Sequence, residues 1–220
     1  MIVNGRNVQA FSCYMNNIPE RVAEYQKKVF NTFNMELTQE LTDLPFHDFW
    51  LDKKIKSLDF DILIFFDIDC IPLKYGLYEY IVDKISDNNS IIGVEQVNQT
   101  RSSNFVYAAP ACFGITKEVY EKMNKPSFGL KNEYDCGGEF SWVAPEYDVD
   151  VKLFEIKSSL NKKWKCLNKR YGNGTIYDDW LYHQFEIRYF DFATQDKINT
   201  YQFIKQCKTI ILNNEKRTIN

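Results

Sequence analysis

Histidine, glycine and recognisable ligand spacings are all scarce in this sequence. Only 2 histidines and 9 glycines occur among 220 residues, so a histidine-rich metal site is excluded and each histidine has to be weighed singly. The 6 cysteines (positions 13, 70, 112, 136, 166 and 207) make no Cys-x-x-Cys pair and no zinc spacing. Scattered in this way, they predict reduced thiols rather than a disulfide framework. Long apolar runs are missing too: Ile62–Phe66 is only five residues, against the ~20 of a membrane span. Met1–Arg6 has no basic-then-apolar signal architecture. A cytoplasmic chain with no membrane span is expected, and the Asn-x-Ser/Thr triplets at Asn88, Asn98 and Asn173 then read as chance in an Asn-rich sequence. Charge of one sign is lacking as well, with 27 basic and 30 acidic side chains and a net charge of −3. A protein held to nucleic acid mainly by bulk charge would show a basic excess. No Walker-type phosphate loop is present, which counts against phosphoryl or nucleotidyl transfer.

What is abundant is apolar and aromatic surface, 45% and 16% of the residues. That excludes a disordered or collagenous chain, and the length suits one domain with a sizeable core. Val8–Tyr14 predicts a strand. Ile18, Val22, Tyr25, Val29 and Phe33 recur at helical spacing over about 18–33, with Asn17 placed to cap and Pro19 tolerated in the first turn. Met35–Leu41 reads as a strand, and Phe46, Phe49, Trp50, Ile55 and Leu58 as a helix that carries His47 and Asp48 near its start. Ile62–Phe66 is an uninterrupted β-branched and aromatic run, as in strands buried on both faces of a parallel α/β sheet. Helices are expected at Leu77–Ile85, at Lys117–Met123 with Thr116 as cap, from Glu139, and from Gln195 to about Ile211. Strands are expected at Ser90–Val94, Asn104–Ala108 and Val151–Ile156, and 160–175 reads as a polar, glycine-containing segment able to act as a lid. With no internal repeat or linker, residues 1–220 are expected to form a single α/β domain with a mostly parallel central sheet flanked by helices.

The sharpest chemical feature is Asp67-Ile68-Asp69, where the apolar strand stops. Ligands of open α/β sheets collect at the carboxyl ends of strands, and carboxylates one residue apart leave an extended chain on the same side. Two such carboxylates can share a hard cation, or divide between a cation and a sugar hydroxyl. Carboxylate oxygens suit Mg²⁺ or Mn²⁺, ions that typically bridge protein to nucleotide phosphates.

The segment Asp61-Ile-Leu-Ile-Phe-Phe-Asp67-Ile-Asp69-Cys-Ile-Pro72 resembles the DxD segment of nucleotide-sugar glycosyltransferases with the GT-A fold. Three later segments are similar in order: Asn104–Tyr120 to the strand and helix lining the acceptor side, Asp135-Cys-Gly-Gly-Glu139 to the acidic glycine turn after it, and Ile176–Arg188 to the late segment that returns a histidine to the metal. The resemblance implies a GT-A (Rossmann-like) domain that moves a sugar from a UDP- or GDP-type donor to a hydroxyl acceptor, with Mn²⁺ or Mg²⁺ as cofactor. It implies that Asp69 binds the metal, that Asp67 contacts the metal or the donor's ribose, and that His183 is the third protein ligand. Neutral imidazole favours Mn²⁺ over Mg²⁺. Taken by itself, His183 reads as a half-buried histidine on an aromatic face with Trp180, Tyr182 and Phe185. Arg188 could meet the diphosphate bidentately, with a surface ion pair to a nearby Asp or Glu as the alternative.

An inverting transferase also needs a carboxylate to accept the acceptor's proton. Asp135 or Glu139 could supply it, the other holding donor hydroxyls, while Gly137 and Gly138 would let the backbone approach the donor. The turn departs from the commonest inverting pattern of adjacent Glu-Asp, so the base and the stereochemistry stay open. Phe128, Tyr134, Phe140 and Trp142 are candidate sugar-stacking walls. The cluster Lys162, Lys163, Lys165, Lys169 and Arg170 reads as a solvated loop, with a polyanionic acceptor as the alternative. The acceptor is expected to be a glycan or, as in phage enzymes, a modified DNA base. A non-catalytic nucleotide-binding module of the same fold is the reading from another class.

Overall fold

The computed structural model describes residues 1–44, 46–98, 105–131, 134–187 and 194–218. Along the chain run β1 (Ile2–Val3), β2 (Arg6–Tyr14), α1 (Glu20–Thr32), β3 (Thr38–Leu41), α2 (His47–Ser57), β4 (Ile62–Asp67) and β5 (Cys70–Pro72). After these come α3 (Leu77–Ile85), β6 (Ser90–Val97), β7 (Val106–Thr116), α4 (Lys117–Lys122), α5 (Gly138–Val143) and a short 3-10 turn at Ala144–Tyr147. The chain continues through β8 (Asp150–Phe154), β9 (Ile156–Cys166), β10 (Lys169–Tyr177), β11 (Leu181–His183) and α6 (Thr194–Thr218).

The unbroken apolar run is β4, and its side chains serve two cores in alternation. Ile62, Ile64 and Phe66 pack with α1 and α3, while Leu63 and Phe65 pack with α2, α4 and α5. Successive strand residues leave on opposite faces, so a strand covered on both sides must be apolar at every position. The central sheet has seven strands in the order β1-β2-β4-β7-β6-β8, with β3 also paired to β2. Five of them (β2, β3, β4, β6 and β8) point one way, and β1 and β7 run against them. This is the expected α/β arrangement of a mostly parallel sheet between helices.

Several local expectations differ from the structure: the strand expected at Asn104–Ala108 runs over Val106–Thr116, and that expected at Met35–Leu41 begins at Thr38. Asn17 does not cap α1: the N-cap is Pro19, extended at φ −58°, ψ 127°, with no side-chain cap bond. Proline biases the residue before it toward extended backbone, which delays helix entry. The segment 160–175 is not a lid but most of the β9–β10 hairpin, at the edge of a second, four-stranded antiparallel sheet ordered β5-β11-β10-β9. Its lysines suit an edge strand with solvent on one side. Gly172, read as a loop residue, marks a register shift where an added Cβ would lie 2.2 Å from the Asn161 carbonyl oxygen. The basic cluster therefore sits on these strands. Thr116 caps α4 as expected, accepting from the Val119 amide at 3.2 Å.

Candidate active site

The carboxyl ends of β2, β4 and β6 bring Tyr14, Asp67 and Gln96 to one edge of the sheet, where they line a cavity of about 640 Å³. That volume suits a small-molecule ligand. β4 ends at Asp67, the chain turns through Ile68 and Asp69, and β5 begins at Cys70. β5 pairs antiparallel with β11 in a register that sets His183 opposite Cys70, and the Gln184 amide donates to the Asp69 carbonyl at 3.0 Å. Strand pairing thus carries a residue 114 positions away onto the acidic turn. His183 Nε2 lies 3.1 Å from Asp69 Oδ1 and 3.5 Å from Asp67 Oδ2. One potential ligand atom from each of the three residues lies within 4.8 Å of the others.

The turn is fixed from below by α1. Gln26 is fully buried on the helix face shared with Val22 and Val29. Its Nε2 donates to the Asp67 carbonyl at 2.8 Å and to the Cys70 carbonyl at 3.0 Å, bridging the two ends of the acidic turn. Its Oε1 accepts from Gln39 Nε2 of β3 at 2.8 Å, and the same Gln39 nitrogen reaches the Ala23 carbonyl. A buried amide must have partners for both of its ends, and here satisfying it positions the carboxylates above.

Asp69 and His183 are buried and Asp67 is half-buried. Among the described residues no Lys or Arg pairs with either aspartate; the two imidazoles are their only partners of opposite potential charge. Burial pushes the His183 pKa down, but the Asp69 carboxylate beside it and Asp67 outweigh that, and the net direction is up from 6.5. Two carboxylates and an imidazole nitrogen, converging where the cavity's one lining lysine among the described residues, Lys163, is paired with Glu186 instead, fit a divalent ion, and the nitrogen favours Mn²⁺ over Mg²⁺. His183 Nδ1 has no hydrogen-bond partner among the described residues. Its ring is held instead by Phe185, with centroids 3.7 Å apart. Cys13 and Cys136 also line the cavity, but burial first, and then Asp67, pushes both thiols up. They stay protonated and are poor nucleophiles.

The cavity therefore gathers Asp67, Asp69, His183 and Asp135. Asp135 Oδ1 accepts from the Cys136 amide at 2.9 Å. Glu139 is not part of this group. Its carboxylate accepts from the Ser127 amide at 3.0 Å and pairs with Lys131. Asp52 holds the same loop through Ser127 Oγ at 2.5 Å and the Phe128 amide at 2.7 Å. Glu139 is thus a loop clamp, spent on backbone and lysine rather than aimed at a ligand.

The two glycines are likewise set by packing. Gly137, at φ +76°, donates its amide to the Phe128 carbonyl, and a Cβ on Gly138 would lie 2.6 Å from that of Tyr134. Neither lines the cavity. Phe128 and Phe140 are fully buried in the core rather than walls of a site, whereas Trp142 is exposed beside Tyr134. Arg188 lies outside the described residues.

Sequence reasoning assigned no role to His47, at the start of α2. Its Nε2 lies 3.4 Å from Asp67 Oδ1 and its side chain lines the cavity. Scarcity was the available signal: both histidines of the chain face Asp67.

No protein-family model and no curated protein matches the chain. Solved structures resemble it distantly. The mannosyltransferase PcManGT from Pyrobaculum calidifontis, in complex with GDP-Man and Mn²⁺, aligns with a TM-score of 0.48 at 10% identity over 67% of this chain and 54% of its own. The chain thus spans about half the length of that protein. A glycosyltransferase involved in the glycosylation of the major capsid of PBCV-1 aligns with a TM-score of 0.35 at 10% identity, over 52% of this chain and 62% of its own. At such distances the likeness does not assign a reaction.

Proposed function

We propose that the chain is a divalent-metal-dependent glycosyltransferase of the GT-A type, moving a sugar from a UDP- or GDP-type donor to a hydroxyl acceptor. One observation carries this reading: Asp67, Asp69 and His183 converge at the carboxyl end of the central strand, inside a cavity of about 640 Å³. Phosphoryl or nucleotidyl transfer also uses paired aspartates. The order of segments from Asp61 to His183, with a histidine returned to the acidic turn, favours sugar transfer.

In this reading Asp67, Asp69 and His183 hold the ion, Mn²⁺ or Mg²⁺. When bound, the ion offsets the charge that develops on the departing nucleotide diphosphate. Asp135 has one oxygen tied to the Cys136 amide, which leaves Oδ2 to accept the acceptor's proton as its oxygen attacks the anomeric carbon. That assignment makes the reaction inverting. Trp164 and Phe185 offer aromatic faces to donor or acceptor rings. The described elements would act together as one catalytic unit, and the acceptor would be a glycan or a modified DNA base.

The test is nucleotide release from a panel of UDP- and GDP-sugars with Mn²⁺ or Mg²⁺, with glycan and hydroxymethylated DNA acceptors in separate arms. Metal-dependent release that increases with one acceptor supports the proposal. Tight donor binding without turnover across the panel would favour the non-catalytic module, and no donor binding at all would overturn both.

A further inference from the structure

α6 buries Phe203, Ile204, Cys207 and Ile210 in the fold. Its outer side carries a different pattern. Lys197, Tyr201, Lys205, Lys208 and Leu212 follow one another at steps of four, four, three and four residues, one stripe of a helix, and all are exposed. Tyr201 is 67% exposed and Leu212 54%. Together with Pro19 and Arg21 at the start of α1, the stripe lines a groove of about 600 Å³.

Among the described residues the lining holds four cations, Arg21, Lys197, Lys205 and Lys208, and no acidic residue, in a chain whose net charge is −3. Among the described residues none of the four is in an ion pair; on α1 Glu24 pairs with Lys28, and Glu20, beside Arg21 in sequence, does not line the groove. From Lys197 to Lys208 the cations of the stripe extend about 17 Å at 1.5 Å per residue. Cations spread over that length do not converge on a single phosphate. They match a row of anionic groups, and the tyrosine between them and the leucine one turn beyond Lys208 are side chains that settle at a lipid–water interface.

We infer that the α1–α6 groove docks the protein onto an anionic phospholipid surface. This inference does not depend on the proposed reaction, although the two surfaces adjoin: Ile18 lines the large cavity and Pro19, the next residue, lines the groove. Docking there sets the mouth of the cavity beside the membrane. No described helix is long and apolar enough to cross a membrane, so the association is peripheral.

The experiment is co-sedimentation of the full chain with vesicles of phosphatidylcholine, with and without a fraction of phosphatidylglycerol, at low and high salt. The expected result is binding to the anionic vesicles alone, weakened by salt. Each lysine near an anionic surface is worth about a five-fold change in partitioning, so Lys205→Ala with Lys208→Ala should lose about 25-fold at an unchanged melting temperature. Tyr201→Ala with Leu212→Ala should weaken binding without changing its salt dependence. Equal binding to neutral and anionic vesicles, no binding to either, or wild-type binding by the lysine variant overturns the inference. So does capture of poly-glutamate by a protein that ignores vesicles, which would assign the groove to an acidic polypeptide.

Discussion

Gln26→Leu tests whether the acidic turn is held from α1. The substitution keeps an unbranched start and a similar bulk, but removes both donors to the Asp67 and Cys70 carbonyls and the acceptor used by Gln39. Three hydrogen bonds at about 1 kcal/mol each give about 3 kcal/mol, with the upper side favoured because buried carbonyls lose a partner. For a protein of this size that corresponds to a fall in melting temperature of roughly 6–12 °C. With Mn²⁺ held as proposed, Gln26 would act on it only by positioning the turn, so Mn²⁺ affinity should fall about tenfold. Differential scanning fluorimetry and Mn²⁺ titration measure the two effects separately. Combining it with Gln39→Leu should give a coupling of about 1 kcal/mol, since the two side chains share a hydrogen bond. A melting temperature within about a degree of wild type, with unchanged Mn²⁺ affinity, would refute the account of the turn.

Asp135 and Glu139 should separate cleanly. Asp135→Asn is expected to lower turnover by a factor of about 10²–10⁴ with donor binding retained, as loss of a general base does. Glu139→Gln should instead cost about 1–2 kcal/mol of stability, read by chemical denaturation, with turnover preserved per folded molecule. The pH dependence follows from His183, whose pKa in the metal-free protein is raised above 6.5 by Asp69 and Asp67 against the effect of burial. Its stabilising charge is fully present below 6.5 and is lost as pH rises through the raised value. On the proposed ligand set Mn²⁺ would have to displace that proton, so the rise in melting temperature on adding Mn²⁺ should be small below 6.5 and grow above it. Thermal melts at paired pH values check this, and a shift independent of pH would count against His183 as a ligand.

Much of the fold was legible because β4 has to be apolar at every position and the helices show their buried faces at helical spacing. Asp67 and Asp69 were legible for the same reason, since charges that end such a strand stand out. His183 was reached only through the order of segments. What places it is the pairing of β5 with β11, a long-range register that no local pattern encodes. Glu139 illustrates the opposite limit: an acid after a glycine turn has the same local signature whether it faces a ligand or clamps a loop. The hairpin over 160–175 escaped because an edge strand rich in lysine looks like a polar loop until its partner is known. Gln26 did leave a trace, a polar residue at a core position of an amphipathic helix, which predicts a buried partner without naming it.

The central claim is that Asp67, Asp69 and His183 form one divalent-cation site, and electron paramagnetic resonance of Mn²⁺ tests it directly. Titration of the wild-type chain should quench the free-ion signal with one ion bound per molecule. Asp69→Asn and His183→Ala should each weaken binding by more than about 100-fold, beyond the effect of an outer-shell partner, while the fold melts cooperatively. Wild-type affinity in both variants, or no bound Mn²⁺ in the native chain, would contradict the account.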